Sequence, residues 1–429
     1  MSFVDRLRSE IFPRAVTEGK FGEDKVKFLD YQPNEKFTAV NHHCSAVNFG
    51  DVILETEQAE IYVQSVFIKI RAGGSDPERG NVTASCLSLV NEFLFYTEIL
   101  PLFLKCDDVN GTICKMFPKF FFGFQVSAGD DPTKEFLVFE NVQKRGFELC
   151  PSKAFLDRDH LDLTLRKIAQ FHAVSIVCKK RYPEEFKDLA SKIRDLHFTE
   201  ERLSKGGGGG FFKENSKRGV LPLRDDPNLQ DKLTDVLKVI DEADQSMAKI
   251  VAPEESIAVI CHGDLQRLNI FYRYDARSGT PCDLIFSDLA TTRYCSPIID
   301  LSLFLFTNVS PEARAIRWRD LLRTYHSTLT SHPDLDPQII PSFADLTQDF
   351  RRRGFYGYVW SSVLLPVAFQ EKQVPEEEKE WWNLSDADHV RLLLETGGEK
   401  GTYHLMQNAK FMIDEHFDFK YILSPQSTL

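Results

Sequence analysis

Residues 261–269 read Cys-His-Gly-Asp-Leu-Gln-Arg-Leu-Asn, and this stretch carries most of the information on the fold. Its skeleton is His-x-Asp-Leu-x-x-x-Asn, with Asp264 and Asn269 in the positions that matter for chemistry. In phosphoryl-transfer enzymes of the kinase type, such an Asp accepts the proton of the attacking hydroxyl and the Asn holds Mg²⁺. Both groups must project from one short loop into one site, and this requirement sets the spacing. The alternative interpretation is a buried turn capped by an aspartate.

The residues on both sides of this stretch favour the catalytic interpretation. Residues 256–260 and 270–274 are apolar and predict one strand leading in and one leading out. A turn at 275–281 is followed by the apolar residues 284–286, which lead to Asp288. A kinase fold has its second metal-binding carboxylate at this place, so Asp288 is a candidate for Mg²⁺ and nucleotide binding.

The composition is typical of a large globular protein and argues against nucleic acid as a partner. The chain has 429 residues and 42% hydrophobic content, enough for a large core divided into two lobes or domains. Lys and Arg number 52 against 64 Asp and Glu, and no basic block stands out, so no nucleic acid partner is expected. The nine cysteines form no Cys-x-x-Cys pair, which fits reduced thiols in the cytosol better than disulfides or a zinc site.

The sequence contains no membrane or secretory signal. The first eight residues lack the apolar core of a signal peptide. The longest uncharged stretch, 354–370, is shorter than a membrane span and contains Pro366. We therefore expect a cytoplasmic protein with no membrane span, whose oligomeric state the sequence does not indicate.

The first third of the chain predicts strands, one of which contains a lysine. Residues 61–63 and 66–70 are apolar runs of the β type, and Lys69 lies in the second. In a kinase fold, a lysine near the end of such a strand reaches the α- and β-phosphates of ATP. The alternative is a strand lysine that points to solvent.

A helix is predicted after that strand. Residues 81–83 offer an N-cap, and apolar residues recur at helical spacing as far as Pro101. Glu92 lies on this helix and is a candidate ion-pair partner of Lys69 and a candidate for nucleotide binding. The alternative is a solvated helical charge.

Residues 136–140 form an apolar run that ends abruptly at the polar residues Glu140 and Asn141. In a two-lobed kinase this is the hinge between the lobes, where backbone groups meet adenine, so Glu140 is a candidate for nucleotide binding. The alternative is an edge strand followed by a turn. Further on, residues 161–172 predict an amphipathic helix, and His172 is expected to be a hydrogen-bonded core histidine.

Between that helix and the catalytic stretch the sequence predicts further helices, interrupted by five glycines at 206–210. Because Phe211 and Phe212 follow instead of Gly-Lys-Ser/Thr, the run predicts a surface loop or hinge and not a phosphate-binding loop.

Together these motifs resemble the ecdysteroid kinase-like (CHK kinase-like) family, a distant branch of the fold shared by aminoglycoside phosphotransferases and choline kinases. The most specific parts are His-Gly-Asp-Leu at 262–265 and Arg-Tyr-Cys-Ser-Pro-Ile-Ile-Asp-Leu at 293–301. Looser matches precede them in the family's order at 66–69, 92–101, 137–141 and 169–173.

The resemblance implies an α+β, bilobal protein-kinase-like fold. The strand-rich nucleotide-binding lobe would span residues 1–140, and a mainly helical lobe with the catalytic loop and substrate pocket would span 141–429. The implied activity is ATP-dependent phosphorylation of a hydroxyl on a small molecule, such as an ecdysteroid or similar steroid-like alcohol, with ATP and Mg²⁺ as cofactors. The alternative is a catalytically silent pseudokinase that binds nucleotide or a hydrophobic ligand.

The resemblance also implies roles for individual residues. Asp264 would be the catalytic base, and Asn269 of the same loop would hold Mg²⁺ together with Asp288. Lys69, oriented by Glu92, would clamp the phosphates.

Asp300, in the last specific motif, would accept hydrogen bonds from the catalytic-loop backbone. Its alternative role is a helix N-terminal aspartate stabilised by the helix dipole.

Three departures from the family pattern are visible in the sequence. Gln266 and Leu268 stand where the family has Trp and Asn, and Asp288-Leu289-Ala290 replaces its Asp-Phe-Gln. The expected nucleotide-covering turn, about residues 39–51, lacks an early glycine, which would hinder close backbone approach to the phosphates. None of these changes removes a candidate catalytic residue, so an active kinase is favoured over a pseudokinase.

The last third of the chain is rich in aromatic residues. As walls of a substrate pocket they would suit a sterol-sized apolar alcohol, and the alternative is that they form the core. They are Trp318, Phe350, Phe355, Tyr356, Tyr358, Trp360, Trp381 and Trp382.

Overall fold

An antiparallel sheet organises the first part of the chain. The computed structural model describes residues 2–34, 45–71, 89–106, 111–126, 134–199, 203, 210–370 and 386–424. The strands of this sheet are β1 (Lys25–Pro33), β2 (Ser45–Thr56), β3 (Ile61–Arg71), β4 (Phe120–Phe124) and β5 (Phe136–Glu140). Their order is β1-β2-β3-β5-β4, so β3 and β5 lie side by side in the interior of the sheet. The two apolar runs predicted around Lys69 are one continuous strand, β3.

Short N-terminal helices cover one face of this sheet. They are α1 (Phe3–Arg6), a π-helical segment (Leu7–Ile11) and α2 (Phe12–Thr17). Phe12 packs against Tyr31, with ring centroids 5.0 Å apart. A Cβ atom on Gly50 in β2 would lie 2.4 Å from the Tyr31 ring. This glycine lies in the segment predicted to cover the nucleotide, but it serves strand packing.

A helical stretch follows β3 in the chain and continues past Pro101. It consists of α3 (Val90–Leu94), a π-helical segment (Phe95–Ile99) and α4 (Leu100–Cys106). Pro101, as far as which the apolar pattern extends, does not end the helix, because the wider π-type turn lies just before the proline, where a backbone donor is missing. Cys106 at the end of α4 and Cys178 have Cα atoms 6.0 Å apart and form a disulfide. The expectation of reduced thiols is therefore wrong for this pair, which helix packing brings together.

The rest of the described chain is mainly helical. Its helices are α5 (Arg158–Arg181), α6 (Pro183–Lys192), α7 (Phe211–Val220), α8 (Gln230–Asp241), α9 (Ala243–Val251), α10 (Ile298–Asn308), α11 (Pro311–Thr330), α12 (Phe343–Arg353), α13 (Phe355–Leu364), α14 (Asp386–Glu395), α15 (Gly398–Asp414) and α16 (Phe419–Leu423). Helix α10 is mainly apolar and is buried along its whole length, and α11, α12 and α13 pack against it. The predicted amphipathic helix at 161–172 lies within α5.

Two small antiparallel sheets hold the catalytic stretch. Their strands are β6 (Glu148–Leu149), β7 (Val259–Cys261), β8 (Ile270–Tyr274), β9 (Pro281–Phe286) and β10 (Arg293–Cys295), in the orders β10-β7 and β6-β8-β9. Strand β8 has its predicted bounds. Strand β7 begins later than predicted, because Ile257 and Ala258 donate backbone hydrogen bonds to Glu254 and form a turn.

The fold is thus the predicted α+β, bilobal, kinase-like one, with a strand-rich first lobe and a mainly helical second lobe. Among the described residues, no helix combines the length and the apolar character needed to cross a membrane. Several sequence predictions concern residues outside the described ones: the N-cap at 81–83, the first part of the nucleotide-covering turn (39–44), glycines 206–209, and Trp381 and Trp382.

Candidate active site

Lys69 is buried and paired with a glutamate from the helix that follows its strand. Its Nζ lies 2.6 Å from Glu92 Oε2, and the two side chains are only 6% and 3% exposed. The predicted pairing is present, and the alternatives of a solvent-facing lysine and a solvated glutamate are wrong. Burial opposes the charge of Lys69, but the neighbouring carboxylates of Asp288 and Glu92 outweigh burial and raise its pKa. The lysine is therefore held as a cation.

Asp288 supplies the second carboxylate around this lysine. Its Oδ1 lies 2.6 Å from Lys69 Nζ. Asp288 follows β9 with a φ of 63°, a left-handed conformation that aspartate adopts more readily than most residues. The backbone N–H of Leu289 donates to Glu92 Oε1 at 3.3 Å. Glu92 thus holds both Lys69 and the segment that carries Asp288, and burial is the main cause that raises the pKa of Glu92.

Asp264 and Asn269 meet inside the catalytic loop. The side-chain amide of Asn269 donates to the backbone oxygen of Asp264 at 3.0 Å and to its Oδ2 at 2.8 Å. Gln266 donates to the same Oδ2 at 3.1 Å. A 3₁₀ turn at Arg267–Asn269 brings the chain round for these contacts. Gln266, which departs from the family pattern, therefore helps to orient the carboxylate of Asp264.

Asp300 anchors the backbone at the start of this loop. Its two carboxylate oxygens accept hydrogen bonds from the backbone N–H groups of His262 and Gly263, each at 2.8 Å. His172 lies 3.1 Å from Asp300 Oδ2 and 2.9 Å from the Tyr325 hydroxyl. Burial alone would raise the pKa of Asp300, but the histidine and the backbone donors lower it. Both predictions are confirmed: Asp300 receives loop hydrogen bonds, and His172 is a hydrogen-bonded core histidine.

His262 connects the catalytic loop to the segment before Asp288. Its Nε2 donates to the backbone oxygen of Ser287 at 3.0 Å, and its Nδ1 accepts from the Asp264 N–H at 3.3 Å. These two partners require a neutral ring with the proton on Nε2, and burial lowers the pKa of His262 in the same direction. Gly263 beside it has a φ of 89°, and an added Cβ would lie 1.9 Å from the Thr291 oxygen.

Glu140 ends β5, which lies between β3 and β4, so the alternative of an edge strand is wrong. Its carboxylate accepts from the Lys119 N–H at 3.0 Å and from Arg145 at 2.6 Å. Its own N–H donates to the Lys119 oxygen at 2.9 Å. Because both the side chain and the N–H of Glu140 have these partners, neither is free to meet adenine, and nucleotide binding by Glu140 stays a prediction.

Asn91 is a site residue that the sequence motifs did not reveal. Its side-chain amide donates to the backbone oxygens of Arg194, Ala290 and Thr292 at 2.9, 3.3 and 3.3 Å. Its Oδ1 accepts from the Arg194 N–H at 3.0 Å. Asn91 therefore anchors the chain that follows Asp288. The sequence feature that could have indicated its role is a polar residue next to Glu92 in a helical segment that is otherwise largely apolar.

Most of the aromatic residues of the last third form the core and do not line a pocket. Five have at most 2% of their surface exposed: Trp318, Phe350, Phe355, Tyr356 and Tyr358.

Trp360 differs from them, because it is half-buried and its Nε1 has no hydrogen-bond partner among the described residues. Its ring centroid lies 5.2 Å from those of His197 and Phe212. Tyr356, with its ring 6.3 Å from that of Trp360, donates its hydroxyl to the Gly263 oxygen at 3.3 Å. An aromatic cluster therefore adjoins the catalytic loop.

Comparison with known proteins identifies a family whose model matches most of the chain. The model of the ecdysteroid kinase-like family matches residues 42–335. No protein with curated annotation matches the chain. The chain is similar to a solved structure described as the GDP and kanamycin complex of APH(2")-IIia, with 14% identity, coverage of 90% of this chain and 98% of that one, and a TM-score of 0.40. It is also similar to the microcompartment-associated aminopropanol kinase, with 11% identity, coverage of 87% and 94%, and a TM-score of 0.42.

Proposed function

The chain belongs to the ecdysteroid kinase-like family, and from this premise we propose that it is an ATP-dependent kinase that phosphorylates a hydroxyl group of an ecdysteroid or a similar steroid-like alcohol. The observation that carries the proposal is the 2.6 Å contact between Lys69 Nζ and Asp288 Oδ1. It joins a cation suited to phosphates, on β3, to a carboxylate suited to a metal ion, after β9. We assign residues 1–140 to the nucleotide-binding lobe and 141–429 to the lobe that binds the acceptor.

In this mechanism, Asp264 is the base. The amides of Asn269 and Gln266 hold its carboxylate in one orientation. The acceptor hydroxyl gives its proton to Asp264 as its oxygen attacks the γ-phosphorus, and the bond from that phosphorus to the leaving ADP oxygen breaks. Phosphoryl transfer asks the protein mainly for positioning and charge stabilisation. The loop anchored by Asp300 supplies the positioning.

Charge stabilisation comes from Lys69 and from the metal-binding side chains. The carboxylate of Asp288 and the amide oxygen of Asn269 fit Mg²⁺, which prefers hard oxygen ligands. When bound with ATP, Mg²⁺ neutralises the charge that develops on the phosphates. Lys69 stays protonated between Glu92 and Asp288, so the phosphates meet a cation that is already in place.

The aromatic cluster beside the catalytic loop supports an apolar acceptor. The rings of His197 and Phe212 each contact the ring of Trp360. Ligand sites for apolar molecules are lined mainly by such side chains, with a few polar groups that fix orientation. The buried Nε1 of Trp360 is a donor suited to an oxygen of the acceptor.

The test is detection of the product. The protein is incubated with ATP, Mg²⁺ and a panel containing steroid alcohols, choline and an aminoglycoside, and phosphorylated products are identified by mass spectrometry. We expect phosphorylated steroid with the wild type and none with Asp264→Asn. Phosphorylation of choline or the aminoglycoside alone would overturn the acceptor assignment. Thermal stabilisation by Mg-ATP without any product would instead support the catalytically silent pseudokinase.

A further inference from the structure

Three buried polar atoms near the catalytic loop have no hydrogen-bond partner among the described residues. They are Thr291 Oγ1, Arg293 Nε and Trp360 Nε1. Thr291 and Arg293 belong to the segment that follows Asp288, and Trp360 lies in α13. Because a buried polar atom without a partner is costly to a fold, these three atoms indicate sites for a partner such as a ligand or a water molecule.

Thr291 lies against the catalytic loop. A Cβ atom added to Gly263 would lie 3.1 Å from Thr291 Oγ1. Gly263 immediately precedes Asp264, the proposed base, and its backbone oxygen accepts a hydrogen bond from the Tyr356 hydroxyl at 3.3 Å. The Thr291 hydroxyl and helix α13, which carries Tyr356, therefore meet the loop at the same residue, next to the base.

Arg293 is held in place by Asp195. Its Nη1 lies 3.2 Å from Asp195 Oδ2, and its side chain is 7% exposed. The backbone N–H groups of His197 and Phe198 donate to the same carboxylate at 2.8 and 2.9 Å. Burial opposes the charge of Asp195, but Arg293 and these backbone donors outweigh burial and lower the pKa of Asp195. The ion pair thus fixes the guanidinium through Nη1, while Nε has no partner among the described residues.

Ring contacts join Arg293 to Trp360. The guanidinium Cζ of Arg293 lies 5.7 Å from the centroid of the Phe198 ring. The Phe212 ring contacts both the Phe198 ring, at 5.7 Å, and the Trp360 ring, at 5.2 Å. Helix α13 then leads from Trp360 back to the tyrosine that contacts the catalytic loop. Because Thr291 meets the same loop two residues before Arg293, the three unpartnered atoms belong to one closed circuit of contacts beside the proposed base.

The chemistry of these atoms selects the kind of group they can bind. An arginine Nε–H and a tryptophan Nε1–H can only donate a hydrogen bond, whereas a threonine hydroxyl can donate and accept. Such groups suit the oxygen atoms of hydroxyl or carbonyl groups. A quaternary ammonium group offers no lone pair to them, and the carboxylate of Asp195 is already paired with Arg293. The circuit therefore suits a neutral molecule with several oxygen atoms.

We propose that Thr291, Arg293 and Trp360 determine the specificity for the acceptor by binding oxygen atoms other than the reacting hydroxyl. This inference rests on the proposed kinase function. It narrows the substrate class from any steroid-like alcohol to one that carries further hydroxyl or carbonyl groups close to the hydroxyl that is phosphorylated. A site whose buried groups bind substrate oxygens rejects an analogue that lacks them, because those groups are then left unpaired.

The first test compares two steroids that share a skeleton, one with a single hydroxyl and one with two further hydroxyls close to it. The kcat/KM of the wild-type protein for each steroid is measured from ADP release in the presence of Mg²⁺. We expect kcat/KM to be about 100-fold higher for the triol, since the mono-alcohol leaves buried donors unpaired. Equal values for the two steroids would overturn the inference and would leave the kinase function standing.

Variants then test the individual groups. Trp360→Phe removes the N–H and keeps an aromatic ring, and Thr291→Val removes the hydroxyl and keeps the shape of the side chain. Each variant should lower the ratio of kcat/KM for the triol to kcat/KM for the mono-alcohol about 10-fold, because one hydrogen bond to the triol is lost. The ratio is insensitive to a general loss of folded protein, which lowers both values together.

Thr234→Val is the matched control for these variants. Thr234 is exposed on α8, and its hydroxyl donates to the Gln230 oxygen at 3.4 Å, so the ratio should stay at the wild-type value. Wild-type ratios in both Trp360→Phe and Thr291→Val would mean that only water occupies these positions and would overturn the inference.

Calorimetric titration of the same two steroids in the absence of ATP separates this inference from the proposed function. Tighter binding of the triol, with the preference reduced in Trp360→Phe, but no phosphorylated product would support the inference and overturn the kinase function. Equal affinity for the two steroids, or failure of both to bind, would overturn the inference whether or not ATP is consumed.

Discussion

Lys69 and Asp288 stand 219 positions apart in the sequence, yet the lysine Nζ and the aspartate Oδ1 are 2.6 Å apart in the folded chain. Glu92 occupies the other side of the same ammonium group at 2.6 Å. The folded chain therefore holds one cation between two carboxylates. In the proposed mechanism, the phosphates of ATP would compete with Asp288 for Lys69, and Asp288 would then become available to a metal ion.

Replacing the carboxylate of Asp264 tests the base. Asp264→Asn should lower kcat at least about 100-fold while leaving ATP binding nearly intact, because the base meets the acceptor hydroxyl and not the nucleotide. Turnover and nucleotide affinity are measured on the same preparation, with the exposed Asp320→Asn as a matched control. A variant that keeps more than about a tenth of wild-type turnover would show that Asp264 is not the base.

Asp288→Ala should remove the Mg²⁺ dependence of nucleotide binding, because the variant lacks a carboxylate ligand for the metal. Calorimetric titration with ATP, in the presence and absence of Mg²⁺, gives the two affinities. Unchanged affinity for Mg-ATP in the variant would contradict the assignment of Asp288 as a metal ligand.

The Lys69–Glu92 pair should behave as one unit. Lys69→Ala and Glu92→Ala should each lower kcat/KM for ATP about 10-fold or more, because the charge that stabilises the phosphates is lost or misplaced. The double variant should be little worse than Lys69→Ala alone, since the same interaction is removed in both. Fully multiplicative losses would mean that the two residues act independently.

Alanine variants of two glycines with positive φ distinguish the cost of backbone strain from the cost of a steric clash. Gly263→Ala should lower the free energy of unfolding by about 3 kcal/mol or more, because its Cβ would meet the Thr291 oxygen at 1.9 Å. Gly279→Ala, with a φ of 69° and no atom within 4 Å of the added Cβ, should cost only about 1 kcal/mol. Urea unfolding measures both, and equal losses would argue against the close packing of the catalytic loop on Thr291.

His262 should make the protein less stable as the pH falls below its ordinary pKa of 6.5, because burial lowers the pKa of the folded-state ring. In that range the unfolded chain binds a proton on His262 and the folded chain does not, so stability falls with pH until the folded-state pKa is passed. The loss is at most about 1.4 kcal/mol for each pH unit. Urea unfolding at several pH values should show this loss in the wild type and a smaller one in His262→Asn.

The stability that His160 contributes should change with pH in the opposite direction, so this histidine serves as the control for that measurement. Burial opposes the charged ring of His160, but Cys150 and Asp157, whose Oδ1 lies 2.7 Å from the ring Nδ1, outweigh burial and raise its folded-state pKa. Its contribution to stability is therefore fully present below pH 6.5 and is lost as the pH rises through the folded-state value. His160→Asn should therefore reduce a loss of stability on the alkaline side. A change of the same sign in both histidine variants would contradict a lowered pKa for His262 and a raised pKa for His160.

The sequence by itself determined the features that depend on neighbouring residues. The spacing of Asp264 and Asn269 sets both groups on one short loop, and the apolar run at 270–274 specifies β8 with its observed bounds. Helix α5 likewise follows from apolar residues at helical spacing. These predictions succeeded because backbone geometry repeats over a few residues, so a local pattern is enough to specify it.

Only the tertiary structure decided which distant side chains meet. Asn91 was missed because its partners, Ala290 and Thr292, lie about 200 positions away in the chain. The disulfide of Cys106 and Cys178 likewise depends on the packing of two helices. The aromatic residues of the last third were open to two interpretations, and most proved to be core, because burial depends on how the helices surround α10. Local patterns do not specify such contacts, since packing selects them only when the whole chain has folded.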